Sequence, residues 1–240
     1  MLQPLESLLF FDIETVPEIW AVEDRLNYDK KEIRSERYHK DTYPNEPADG
    51  STWKPYGSYR EKAALYPEFG KIICISLSFW RFEEWKLIIK SLSLKSWDEK
   101  EMISTFFKNI SKSDRILWWH NIKWFDIPYI IKRALHYWLK IPKCLHIFWK
   151  KPREVKMVDT MELFKMWSWR NTSLELCTQF LGLPNPKQDI TGKEVPEYYY
   201  SNPDNVDVME KISKYCEADA EASLRVYYEL FRSVNDEDEK

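Results

Sequence analysis

The chain opens on an unbroken apolar run, Leu8-Leu9-Phe10-Phe11, that passes directly into Asp12-Ile13-Glu14-Thr15. A run without polar alternation is the pattern of a strand buried on both faces, and it predicts a first strand over residues 7–11. A long charged and aromatic excursion follows, over about residues 17–70. Residues 72–80 are rich in β-branched and aromatic side chains and predict a second strand, with a third around 85–91. The period then lengthens. Ser96 and Glu99 have capping-box spacing, and Ile103, Phe106, Phe107 and Ile110 recur at helical intervals. A short strand over 116–119 leads to a helix over 127–135 that tolerates Pro128 in its first turn. A strand over 155–159 precedes a helix over 172–181, with Thr172 and Glu175 as its cap and Gly182 as its stop. The last helix covers about 206–232, and 236–240 form a frayed acidic tail. Early strands followed by alternating helices and strands predict an α/β fold, a mixed sheet with helices packed on it.

Two carboxylates interrupt this pattern where hydrophobes belong. A strand has a period of two, so Asp12 and Glu14 project from one face toward one spot. Like charges there repel and also lose hydration, which calls for a cationic partner. Hard divalent cations such as magnesium or manganese choose oxygen ligands and fit that need. In the last helix the apolar stripe runs through Ile212, Tyr215, Cys216, Ala222, Val226, Tyr227 and Leu230, and Asp219 occupies one of its slots. Asp219 is either a boundary acid with a water or lysine partner, or a metal ligand with the Tyr215 phenol one turn before it. Asp126 precedes a helix, where an N-cap and a ligand are both open readings. Asp219 and Glu221 diverge on their helix and do not form a second pair.

Composition narrows the classes. With 240 residues, 44% apolar and five glycines, the chain suits a single domain over 1–240 with a long insertion at about 17–70. A formal charge of -3 advertises no global basic field, yet it allows a nuclease whose acidic site offsets a locally basic track. Four scattered cysteines without a CxxC pair, and apolar runs too short for a membrane span, predict a cytoplasmic protein. GxGxxG, GxxxxGK, GxSxG and HExxH are absent, which argues against dinucleotide-binding, P-loop, serine-hydrolase and zincin chemistry.

Taken together, Phe11-Asp12-Ile13-Glu14, Asn121 through Phe125-Asp126-Ile127-Pro128-Tyr129, and Tyr215-Cys216-Glu217-Ala218-Asp219 resemble the three motifs of the DEDD superfamily of 3′-to-5′ exonucleases, in its tyrosine subclass. The second motif is similar to that of the proofreading domain of family B DNA polymerases. The chain resembles in particular the stand-alone exonucleases related to that domain, which also carry a segment like Leu65-Tyr66-Pro67-Glu68-Phe69-Gly70-Lys71-Ile72. Two positions bear on the match. Trp119-His120 stands where the polymerases have Gly-Tyr, and Lys214 stands where the histidine subclass has its histidine, which favours Tyr215.

The resemblance implies a ribonuclease-H-like fold with a central five-stranded mixed sheet flanked by helices. It also implies two divalent metal ions, Mg2+ or Mn2+, about 4 Å apart, that stabilise the attacking and leaving oxygens of a phosphodiester. Asp12, Glu14 and Asp219 would hold the first, Asp12 would bridge to the second, Asp126 would support the second, and Tyr215 would orient the attacking water. The implied catalytic set is thus Asp12, Glu14, Asp126, Tyr215 and Asp219. Asn121 and Phe125 match positions near the terminal nucleotide, although Phe125 also reads as core. The expected partner is single-stranded nucleic acid, DNA ahead of RNA, and the products are nucleoside 5′-monophosphates. A non-catalytic binding module, an RNA-directed exonuclease and an endonuclease of the same fold class stay open. Lys150, Lys151, Arg153 and Lys156 read as a solvated face before a phosphate track, and Trp20, Trp53, Tyr56 and Tyr59 as loop anchors before base-stacking platforms. Residues 182–195, with Lys187, Asp189 and Gly192, match a family segment near the site without a defined role.

Overall fold

The computed structural model describes residues 5–18, 63–84, 86–113, 115–151, 154–155, 157–166, 168–186, 190–201 and 206–235. Trp20, Trp53, Tyr56, Tyr59, Arg153, Lys156, Lys187, Asp189 and the 236–240 tail lie outside them. Five strands form one sheet: β1 (Leu8–Pro17), β2 (Gly70–Glu83), β3 (Lys86–Lys95), β4 (Ile116–Trp119) and β5 (Met157–Asp159). Their order is β3-β2-β1-β4-β5. β1 runs antiparallel to β2 and parallel to β4, β2 and β3 form a hairpin, and β5 is parallel to β4, so the sheet is mixed as expected. The helices are α1 (Glu99–Ser111), α2 (Asp126–His136), α3 (Thr160–Lys165), α4 (Leu174–Phe180), α5 (Val195–Ser201) and α6 (Val206–Asn235). This is an α/β, ribonuclease-H-like architecture. No helix of the described residues is long and apolar enough to cross a membrane.

All ten residues of β1 are buried, because the strand is central and covered on both faces. Leu9, Phe11 and Ile13 pack into a core with Ile103 and Phe106 of α1 and Ile127 and Ile130 of α2. Leu8 and Phe10, on the alternate face, meet Leu224 and Tyr227 of α6, and Val16 meets Ile212, Tyr215 and Cys216. Side chains such as Phe10, Phe106 and Tyr227, at 0% exposure, each contribute about 1.5–3 kcal/mol by burial. The predicted strand thus continues six residues past Phe11 and carries both acids inside it, on the face that α6 covers.

Several local features differ from the sequence expectations. The α1 cap is Asp98, whose carboxylate accepts from the Glu101 N–H at 3.0 Å, while Ser96 accepts from the Asp98 N–H. Ser173, rather than Thr172, caps α4 by accepting from the Leu176 N–H at 3.3 Å. Gly182 does end that segment, at φ +67°, a left-handed conformation that glycine adopts without a Cβ clash. The short helices α3 and α5 have no counterpart in the predicted pattern. Glu99, expected only as half of a capping box, is instead buried in an ion pair with Arg133 of α2. It accepts from the Arg133 Nε at 2.9 Å, the Ile72 N–H at 2.8 Å and the Tyr137 hydroxyl at 2.8 Å. Arg133 also donates to the Pro67 carbonyl at 3.1 Å, which ties α1, α2, β2 and the turn before it into one buried polar knot. Gly70, at the start of β2, sits where a Cβ would lie 2.3 Å from the Tyr129 hydroxyl, so that close approach requires glycine.

Candidate active site

The topology opens a site beside β1. β4 pairs with β1 only through Phe10, and β1 continues toward Pro17 with β2 alone. Asp12 and Glu14 therefore stand beyond the carboxyl end of β4, where open α/β sheets place their ligands. The gap is filled by Asp126, whose carboxylate accepts a hydrogen bond from the Ile13 backbone N–H. From the opposite side α6 brings in Tyr215, Cys216 and Asp219. The Cys216 Sγ lies 3.5 Å from both the Asp12 carbonyl oxygen and Asp12 Oδ2.

Burial and mutual charge make this cluster unstable in its ionised form. Asp12 and Glu14 are each 8% exposed and Asp126 is 2% exposed. Desolvation pushes the Asp12 carboxyl well above the ordinary carboxylate range, and the charges of Glu14, Asp126 and Asp219 push it further. Glu14 is raised by the same burial and by Asp219, Cys74 and Asp126. Asp126 is raised by burial and by Asp159, against bonds from backbone N–H groups. Four acids of distant sequence thus act on one another at one spot. One oxygen of each of Asp12 and Glu14, with the Cys216 sulfur, lies within 4.8 Å of the others.

Asp126 was open to two readings from sequence, and its placement bears on both. It is the first residue of α2, and the N-cap position belongs to Phe125, which makes no side-chain capping bond. Its Oδ1 is buried without a hydrogen-bond partner among the described residues. A buried carboxylate oxygen left unpaired is costly, and a cation is the partner such an atom lacks. Carboxylate oxygens are also the donor set that magnesium and manganese choose, so the residues present fit a divalent metal.

Tyr215 is buried and its hydroxyl donates to the Asp219 carboxylate. Desolvation, and then the charges of Asp219, Glu14 and Asp12, raise its pKa far above that of an ordinary phenol. At neutral pH it is a hydrogen-bond donor rather than a base. Gly192 packs beside it, a Cβ there lying 3.6 Å from the Tyr215 hydroxyl, which places Gly192 at the site. Tyr215 also lines a cavity of about 330 Å³ with Lys211, Lys214, Glu221 and Arg225 of α6 on its wall. Glu221 forms an i,i+4 ion pair with Arg225. α6 is held over β3 by Ser93, which donates to Glu217, and by the Lys95–Glu210 ion pair.

The second-motif loop depends on residues that the sequence reading left without a role. Asn121 adopts φ +73° and donates its N–H to Asp159 Oδ1 at 2.8 Å. Asp159 also accepts from the Met161 N–H at 2.9 Å, capping α3, and is 1% exposed. Its position at the end of β5 is the signal that points to it. Phe125 is half-buried and packs on the core, its ring centroid 5.5 Å from that of Tyr129. His120, noted above as a departure from the polymerase pattern, is buried by desolvation-prone surroundings that pull its pKa down to about 4. The neutral ring donates from Nε2 to the Thr172 carbonyl at 2.8 Å and accepts at Nδ1 from Thr160 at 3.1 Å. Thr160 in turn bonds Ser223 of α6 at 3.3 Å, so His120 braces β4, α3 and α6 rather than facing the acids. Lys150 and Lys151 are exposed.

Comparison with known proteins adds one match. The family model described as a predicted 3′-5′ exonuclease related to the exonuclease domain of PolB matches residues 65–238. That span includes Asn121, Phe125, Asp126, Tyr215 and Asp219, while Asp12 and Glu14 lie before it and join the others only through the sheet. No curated protein matches the chain.

Proposed function

Because the chain belongs to the family of predicted 3′-5′ exonucleases related to the exonuclease domain of PolB, we propose that it is a metal-dependent nuclease that hydrolyses single-stranded nucleic acid from the 3′ end. The products in this reading are nucleoside 5′-monophosphates, and the relation to a polymerase domain favours DNA over RNA. The reading rests on one observation above all, the convergence of buried Asp12, Glu14 and Asp126 with half-buried Asp219, whose carboxylate takes the Tyr215 hydroxyl.

Asp12, Glu14 and Asp219 would hold one divalent cation, Asp12 would be shared with a second, and Asp126 would offer that second ion its unpaired Oδ1. Bound there, two such ions supply Lewis-acid stabilisation of the attacking and departing oxygens. The protein supplies the rest. Water adds to phosphorus, the bond to the 3′-oxygen breaks, and that oxygen leaves with a proton. Tyr215, fully protonated at neutral pH, orients the attacking water by a hydrogen bond and leaves proton removal to other groups. His120 is excluded as a base because both ring nitrogens are engaged and its pKa is about 4. Asn121 and Phe125 meet the terminal nucleotide from the loop that Asp159 fixes, and the cationic wall formed by Lys211, Lys214 and Arg225 takes strand phosphates. We place residues 1–240 in one domain, and its four free cysteines suit a reducing cytoplasm.

Digestion of 3′-labelled, 5′-labelled and circular single strands of DNA and RNA, with magnesium or manganese, tests this directly. Early release of the 3′ label as a mononucleotide, with circles untouched, is the expected result. Cleavage of circles would replace the reading with an endonuclease, and no cleavage with either metal would replace it with a binding module.

A further inference from the structure

One atom in the acid cluster does not belong to hard-metal chemistry. The Cys216 sulfur lies with Asp12 and Glu14 oxygens in a group whose members are all within 4.8 Å of one another. A buried cysteine usually serves as a small hydrophobe, but this one directs its thiol at a carboxylate, 3.5 Å from Asp12 Oδ2. A second buried thiol, Cys74, lies within interaction reach of it. Asp126 Oδ1, buried and unpartnered among the described residues, points independently to a cation at this place.

We propose that Cys216 makes the Asp12–Glu14 site a trap for thiophilic cations, zinc or cadmium, which bind through Asp12, Glu14 and the Cys216 thiolate and block the hydrolysis that a hard cation supports. The inference rests on the function proposed above. Ligand choice gives the reason: magnesium leaves a thiol protonated and takes oxygen, whereas zinc and cadmium bind sulfur strongly. Distances allow it. Zinc holds sulfur at about 2.3 Å and oxygen at about 2.0–2.2 Å, so the observed group needs to contract by only about an ångström to close on one ion. On capture the S–H bond breaks, the metal–sulfur bond forms and the proton leaves to buffer. Capture through these three ligands occupies Asp12 and Glu14, so the carboxylates that would hold the hard cation are no longer available to it and hydrolysis stops. Cys74 stays outside the shell, since its sulfur is absent from the group of mutually close ligand atoms.

The test uses full-length protein carrying Cys144→Ser, which removes the exposed thiol, and cadmium chloride as the probe. Thiolate-to-cadmium charge-transfer absorbance should rise and saturate at one ion per chain. Adding Cys216→Ser should abolish the band and weaken cadmium binding at least about tenfold in calorimetry, with manganese affinity changed far less. Adding Cys74→Ser should keep the band. Cadmium-113 resonance frequency of the protein with Cys216 intact should report one sulfur ligand, a readout that needs no folding of the Cys216 variant. An all-oxygen resonance, a band that survives Cys216→Ser, or an equal loss of manganese affinity would each overturn the inference. If manganese binds and the cadmium band is missing, the thiol trap falls and the exonuclease reading stands. A cadmium–thiolate band without any manganese binding would sink the exonuclease reading and, with no hydrolysis left to block, the inhibitory role of the thiol with it.

Discussion

Replacing Asp12 with asparagine separates the two consequences of crowding acids at a buried spot, because it removes a charge while keeping the shape. Asp12 and Glu14 present oxygens within 4.8 Å of each other. Two unit charges at that distance and an effective dielectric of about 20 repel by roughly 3.5 kcal/mol, which sets the scale of what neutralisation relieves. Proton uptake by the wild-type cluster reduces the relief, since all three β1 and α2 acids hold their protons well above the ordinary range. For a chain of this size the metal-free variant should melt roughly 3–10 °C above the wild type at pH 8. The sign follows from the direction of the shifts. An acid whose folded pKa is raised adds no penalty below its unfolded pKa near 4, and destabilises increasingly as pH climbs from there through the raised value. The advantage of the variant should therefore shrink to nothing as pH falls toward 4. Magnesium reverses the ranking. At a hundredfold excess over its dissociation constant it stabilises the wild type by about 2.7 kcal/mol and the variant by almost nothing. Differential scanning calorimetry in EDTA and in magnesium, from pH 4 to 8, checks all three features. A metal-free variant less stable than the wild type at pH 8, or one that magnesium stabilises equally, would refute the reasoning.

Tyr215→Phe should lower kcat by about 10²-fold with little change in melting temperature, and Asp219→Ala by more, because the first removes one donor and the second a metal ligand; single-turnover digestion compares them. Glu99→Gln breaks a buried, bidentate ion pair and should cost about 3–5 kcal/mol in urea unfolding, with activity per folded molecule retained. His120→Gln should remove an acid sensitivity. A buried histidine whose pKa falls to about 4 contributes stability that is complete above its unfolded value near 6.5 and is lost as pH drops toward 4, about 3 kcal/mol in all. The wild-type-minus-variant difference in urea midpoint between pH 7 and 4.5 reads it.

The existence of the strands was legible from apolar and β-branched runs, and the Leu8–Phe11 run is buried on both faces as such runs require, but their ends were not, since β1 continues through both acids to Pro17. β2 and β3 follow from runs rich in β-branched and aromatic residues, and the long helix α6 from helical periodicity over many turns. Helices of six and seven residues, α3 and α5, offer less than two turns of pattern and escaped it. Caps were misplaced by one or two positions because Ser96 and Asp98, or Thr172 and Ser173, are chemically alike and only the turn geometry chooses between them. Asp12, Glu14 and Asp219 were visible as carboxylates where hydrophobes belong. Asp126 was not separable from an N-cap, since what distinguishes it is an unpaired oxygen created by packing against β1. His120 and the Glu99–Arg133 pair act across 34 to 52 residues of sequence, so local patterns carry no trace of them, whereas Asp159 is marked by its place at the end of β5.

Manganese binding, followed by electron paramagnetic resonance with a nucleoside 5′-monophosphate present, tests the convergence of the four acids most directly. Two spin-coupled ions per wild-type chain, reduced to one or none by Asp12→Asn and by Asp219→Ala, is the result expected of a shared carboxylate cluster. Manganese uptake that is absent, or that neither substitution alters, would contradict it.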